Sequence, residues 1–319
     1  MKRIKNKIEG VRPFNLFTLR SCYYYQTVAG LASFGIPYEN ILMGYLSFPQ
    51  KNFQIEKKSF SDKEMGKIWG YKSKACNLSL RGFLRNIDKH NPVIAGIDCF
   101  YVESRPEAYR KKHSPHWILV HGYDLDIGIF DVVEQDYSNS YKYTEKTISI
   151  SNLLYGNIMY RRPPIGRKKA CRVLIKKRIK GNGIKKILER IGRGSFEQAQ
   201  KASEANLETL KTLILQQNAS IQEKSPEITA YLKEMKYSFS IIKKIEIFTD
   251  TPEKAARISF IVAAYSNLLS VFWKMENKKD YGFAFRYKDN IIKKIDDLLI
   301  AEYVTYNDIS EGCKCWLKQ

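Results

Sequence analysis

The sequence predicts an α+β protein in two domains, a mixed helix-and-strand domain followed by an all-helical bundle. Three observations carry this. The 319 residues are long for one hydrophobic core and comfortable for two. Short apolar runs bounded by turn residues fill the first half, as buried strands do. Beyond Ile150 the apolar residues change to the three-and-four spacing of helices. The expected divisions are 1–160 for the mixed domain, 161–195 for a basic linker and 196–319 for the helical domain. With 44% hydrophobic residues and ten prolines, the chain has the apolar surface that offsets ordering entropy, which excludes bulk disorder.

Taken in order, Tyr23, Ala29, Leu31 and Ala32 suit a short buried helix over Cys22 to Phe34, stopped by Gly35. Cys22 then falls in its first turn. An amphipathic helix is expected around Leu78 to Ile87. Pro92 opens the strand Val93-Ile94-Ala95-Gly96-Ile97. The runs Trp117 to Tyr123 and Ile129 to Val133 flank Asp124-Leu125-Asp126-Ile127-Gly128, the composition of a hairpin turn. In the second half a helix is expected around Phe196 to Ile221. Ser225-Pro226-Glu227 and Thr251-Pro252-Glu253 read as helix starts, each with a capping oxygen, a proline at the first position and an acid at the positive dipole end. Ile258, Ile261, Val262, Tyr265, Leu268, Leu269 and Phe272 then share one face, and Ala284, Tyr287, Ile291, Ile295 and Leu298 repeat the pattern.

No apolar region follows the basic start, so a cytoplasmic location is expected. The run Ile258 to Trp273 is polar-interrupted and too short to span a bilayer, and no membrane partner is expected. The six cysteines lack Cys-x-x-Cys spacing, and the four histidines all lie between His90 and His121, so no metal is expected. Net charge is +21, concentrated between Arg161 and Arg193, where fourteen Lys or Arg stand against a single acid, Glu189. Such a run is a solvated linker or a docking strip for an acidic partner. With 21 tyrosines a nucleic-acid binder is an alternative, but zinc spacings and RNP-type motifs are lacking, which disfavours it.

A thiol attacks acyl carbon as thiolate, and a helix N-terminus stabilises that anion. Cys22 has the position, although free cysteines are as often small core residues. His116, just ahead of an apolar strand, can project from a sheet edge as its base. If the hairpin centres on Asp126, His116 faces Asp136, with Glu134 one same-face step inward and Asp131 of the wrong parity. Either Glu134 or Asp136 could orient the imidazole.

Pro92 to Tyr101, Arg105-Pro106-Glu107-Ala108-Tyr109, His113, and His116-Trp117-Ile118-Leu119-Val120-His121-Gly122-Tyr123-Asp124 together resemble the butirosin biosynthesis protein H family, which is related to C39-type, papain-like cysteine peptidases. The resemblance covers about the first half. It implies a papain-like fold with a helical appendage, a nucleophile at Cys22, a base at His116 and an acid at Glu134, with Asp136 as the alternative. Papain-like enzymes carry an oxyanion-hole glutamine six residues before the nucleophile, a position held here by Leu16. Asn15, Thr18 or Gln26 is the expected substitute, beside the Cys22 N–H. The resemblance further implies acyl transfer from a carrier-protein thioester to an amine in specialised-metabolite, nonribosomal-type antibiotic assembly. No cofactor is needed beyond the phosphopantetheinyl arm of an acidic acyl or peptidyl carrier protein. A peptidase or amidase would use the same residues. Asp98, Tyr101, Arg105 and His113 are further substrate-contact candidates, and His121 points away from the His116 face.

Overall fold

The computed structural model describes residues 4–15, 22–57, 62–136, 142–178, 193–215, 220–245, 248–278 and 286–318, with 185, 187, 189 and 191 between. They form two compact units: 1–41 with 61–181, and 42–60 with 182–319. Helices and an antiparallel sheet make the first, and helices with one hairpin make the second.

The first unit is built on a sheet in the order β4-β9-β5-β6-β7-β8, every neighbour antiparallel. Its strands are β4 (Tyr71–Cys76), β5 (Val93–Asp98), β6 (Pro115–Asp124), β7 (Ile129–Gln135), β8 (Tyr143–Ser149) and β9 (Cys171–Lys176), with β1 (Lys5–Lys7) pairing the far end of β6. The expected helices are present as α1 (Cys22–Ala32) and α4 (Leu80–Asp88), the latter capped by the Ser79 hydroxyl accepting from Gly82 N–H. They are joined by α2 (Tyr38–Leu42), α3 (Asp62–Trp69) and α5 (Ile150–Met159). β5 is buried at all six positions, the reason it reads as an uninterrupted apolar run.

The basic-linker assignment for 161–195 is corrected by β9. Ala170, Cys171, Val173 and Leu174 are buried, and this strand sits between β4 and β5 inside the sheet. Flanking charges hid a short core strand. The hairpin of β6 and β7 also differs in detail. Its turn-proximal pairs are Asp124 with Ile129 and Tyr123 with Phe130, one step out of the register expected for a loop centred on Asp126. An irregularity between Val120 and Gly122 restores it, so that Val120 faces Val132 and Leu119 faces Val133. His121 is the extra residue, and such bulges re-aim side chains beside functional sites. Without this shift every side chain beyond it would change faces.

The second unit holds β2 (Ser47–Pro49) and β3 (Ile55–Lys57) with α6 (Arg193–Leu215), α7 (Ser220–Ile242), α8 (Pro252–Lys278) and α9 (Lys288–Lys318). A division at residue 160 is therefore corrected as well, because 42–60 belongs with the helices. Phe48 packs on Phe196 and Phe53 on Tyr231, and Phe53 N–H donates to Asn206 Oδ1 at 3.0 Å. The Thr251 start holds, its hydroxyl accepting from Lys254 N–H at 3.3 Å. The Ser225 start does not: Pro226 lies inside α7 and Ser225 is buried, so the helix opens earlier, at Ser220. In α8, Ile258, Ile261, Tyr265, Leu268 and Phe272 are buried as expected. The 24 residues Pro252–Met275 are, by length and composition, long and apolar enough to cross a membrane, which corrects the shorter estimate. In this unit that helix packs against α7 and α9. Of the face expected for α9, Ile291, Ile295 and Leu298 are buried, Tyr287 is half exposed, and Ala284 lies outside the described residues.

Candidate active site

Cys22 is the first residue of α1, and that helix packs across β5 and β6. Gly30 allows this approach, since a Cβ there would lie 2.7 Å from Leu174 and 3.2 Å from Leu119. One turn beyond the thiol, Gln26 Nε2 donates to the Trp117 carbonyl at 3.2 Å, and Tyr23 meets the Trp117 ring edge-on at 5.5 Å. These contacts fix the start of α1 beside the residue that follows His116.

His116 on β6 is buried, and its Nε2–H donates to Glu134 Oε1 on β7 at 2.8 Å. The Cys22 thiol is hydrogen-bonded to the same imidazole, and Trp117 N–H is directed at the sulfur. Burial opposes the thiolate. The His116 hydrogen bond and charge outweigh burial, and the Cys22 pKa lies below its ordinary value. For His116, burial favours the neutral ring, but the Glu134 charge and the Cys22 hydrogen bond raise its pKa to about 9. Glu134, fully buried, is held below the usual carboxylate range in spite of that burial, by His116 first and Arg105 second. Three other thiols shift the opposite way: burial pushes Cys99 and Cys171 up to about 12, and Cys76 upward too. Of these four cysteines, Cys22 alone has its thiolate favoured.

Arg105 is placed differently from expectation. It is buried rather than open to substrate, and its Nη2 donates to Glu134 Oε1 at 2.9 Å and to Gln135 Oε1 at 2.5 Å, while Nη1 lies 3.6 Å from Glu107. Its Nη2 is also 2.9 Å from His116 Nε2. With the ring protonated this is a contact of two donors that share one carboxylate oxygen. No spacing in the sequence signals the role, because Arg105 reaches Glu134 only when the loop after β5 folds over the β6–β7 pair.

Asp136 is corrected as the alternative acid. It sits at the end of the strand, paired with Lys142 at 3.6 Å, and Glu134 is the carboxylate that meets His116. Gln26 is corrected as an oxyanion donor, since its amide is engaged by Trp117. Asn15 Oδ1 accepts from Tyr143 N–H at 2.5 Å, which makes it a brace between the chain before α1 and β8. Thr18 and Leu16 lie outside the described residues. His113 and Asp98 pair with each other at 2.6 Å, and the imidazole stacks on Phe100 at 4.6 Å. Asp98 also accepts from the N–H groups of Phe100 and Ser114, the work of a loop brace. Tyr101 packs on Phe100 and Tyr155. His121 is fully buried, neither ring nitrogen has a hydrogen-bond partner among the described residues, and burial lowers its pKa.

Among the described residues no group of three or more His, Cys, Asp and Glu is gathered to hold a metal. The arrangement of Cys22, His116 and Glu134 can take a proton from a thiol, keep the resulting imidazolium beside a carboxylate, and return the proton to a leaving group. No family model matches the chain, and no curated protein matches it.

Proposed function

We propose that the chain is a cysteine-dependent acyltransferase on a papain-like fold, moving an acyl group from a thioester to an amine through an acyl-Cys22 intermediate. The observation that carries the reading is one imidazole bonded on one side to a helix-start thiol of lowered pKa and on the other to a buried carboxylate. A helix presenting the thiol to an antiparallel sheet, with base and acid on adjacent strands, supports the papain-like assignment.

In the first half-reaction the Cys22 thiolate adds to the thioester carbonyl. The tetrahedral intermediate collapses by breaking the original carbon–sulfur bond, and His116 gives its proton to the departing thiolate. In the second, an amine adds to the acyl-Cys22 carbonyl while neutral His116 takes its proton. The carbon–sulfur bond to Cys22 then breaks, leaving an amide and restoring the thiolate–imidazolium pair. The thioester carries the driving force, so neither half needs a nucleotide. Glu134 holds the imidazole in register and stabilises its charged form, and Arg105 keeps that carboxylate ionised and in place.

Intact-mass spectrometry after mixing the chain with small acyl thioesters of N-acetylcysteamine tests this. The expected result is an adduct of one acyl mass on the wild type, none on Cys22→Ala, and its discharge by added amine. Cleavage of a peptide library with no such adduct would replace the reading with a peptidase.

A further inference from the structure

The excess charge of the first unit is not spread evenly. A groove of about 630 Å³ lies between α3 and the edge made by β4 and β9, lined by Lys63, Lys67, Lys72, Arg172, Lys177 and Arg178 around a floor of Gly66, Gly70 and Ser73. Among the described residues no acidic one lines it. Two separate stretches of sequence supply the cations: three come from 63–72, and three from the basic run once taken as a linker. The folding that joins them is specific. Lys67 and Lys63 stand one turn apart on α3, whose close approach to β4 depends on Gly66, while Lys177 N–H donates to the Gly70 carbonyl at 2.7 Å and ties the end of β9 to the turn before β4.

We propose that this groove is the docking surface for an acidic protein that delivers the acyl thioester to Cys22. The inference rests on the acyltransferase reading and adds to it where the donor binds. Charge complementarity names the occupant: Lys63, Lys67, Lys72, Lys177 and Arg178 are exposed, the setting in which cations steer an oppositely charged protein into register. The lining disfavours the other polyanions. Among the described residues its one aromatic, Tyr71, is buried, so none of them presents a ring for bases to stack on, and none with an exposed apolar side chain lines it to enter a lipid surface. One lining residue of the groove also touches the helix of the nucleophile. Arg172 lies over the Tyr23 ring at 5.4 Å, and Tyr23 is the neighbour of Cys22 in α1.

The test compares the full-length wild type with the double variant Lys67→Glu, Lys177→Glu, neither residue being part of the catalytic group. Binding of a fluorescently labelled acidic acyl carrier protein is read by anisotropy at two salt concentrations, and acylation of Cys22 by small N-acetylcysteamine thioesters is read by intact mass. The expected result is carrier binding that weakens about tenfold or more on raising salt and again about tenfold or more in the variant, with acylation by the small thioester unchanged. Equal carrier binding by both proteins, or binding by neither, overturns the docking surface while leaving the acyltransferase reading to its own measurement. Binding lost in the variant, without acylation of either protein by the small thioester, keeps the surface and removes the acyltransferase reading. Single-stranded DNA bound more tightly than the carrier, and lost in the variant, overturns it in favour of nucleic acid.

Discussion

His116 is held between partners that pull its proton in the same direction. Cys22 and Glu134 both favour the imidazolium, and its pKa of about 9 follows from their combined charge winning over burial. Neutralising the carboxylate should undo both shifts. In Glu134→Gln the pH midpoint for alkylation of Cys22 by iodoacetamide is expected to rise towards that of an ordinary thiol, and turnover to fall about a hundredfold or more. An unchanged alkylation profile would show that Glu134 does not tune the pair. A second buried carboxyl makes a prediction about stability. Glu302 on α9 accepts from Ser203 on α6 at 2.5 Å and Tyr265 on α8 at 2.6 Å, with Tyr231 on α7 bonded to Ser203 and Tyr306 close by. Burial raises its pKa to about 7 from an unfolded value near 4.5. The folded state therefore prefers the protonated form, so this contribution is fully present below about pH 4.5 and is lost as pH rises to about 7, on the order of 3 kcal/mol in all. Glu302→Gln is expected to flatten the stability of the helical unit across that window, measured by urea unfolding at several pH values.

At the scale of elements, legibility followed the length and purity of the apolar pattern. The β6–β7 hairpin, β5 and α1 declared themselves through uninterrupted apolar runs and turn residues, and they are the elements that carry Cys22, His116 and Glu134. β9 did not, because four buried positions stood among the seven cations of Arg167 to Arg178, six of which are exposed. The register of the hairpin was expected correctly at Leu119 and Val120 for an incomplete reason: the bulge at His121, invisible to alternation alone, cancels a one-residue error at the turn. Arg105 as partner of Glu134 was beyond the sequence, since it depends on a loop fold. A prediction belongs to α3, where a Cβ at Gly66 would meet the Tyr71 carbonyl oxygen, a backbone atom that cannot swing aside. Gly66→Ala should destabilise the first unit by about 1–3 kcal/mol, read as a lowered urea midpoint, and an unaltered midpoint would show that α3 shifts freely on β4.

For the whole molecule, the two units are interleaved along the chain: residues 42–60 leave the first for the second before the chain returns. A fragment spanning 196–319 lacks the hairpin whose Phe48 and Phe53 cover Phe196 and Tyr231, and whose backbone takes up Asn206. That fragment is expected to lose cooperative unfolding by circular dichroism, whereas adding 42–60 through a flexible tether is expected to restore part of it. Sharp two-state unfolding of the bare fragment would count against the interleaving. The same geometry makes a cut at residue 160 remove β9 and leave β4 without a partner.

Because β9 lies between β4 and β5 yet follows all the other strands of the sheet in sequence, a chain emerging from the ribosome has made its nucleophile, base and acid well before the middle of the sheet can close. Until Lys176 is out, β5 has an open edge and α1 lacks the Leu174 side chain on which Gly30 rests. Synthesis thus sets a clock on reactivity: the sulfur exists from residue 22 onward, but the surface that fixes its helix is finished only some hundred and fifty residues later.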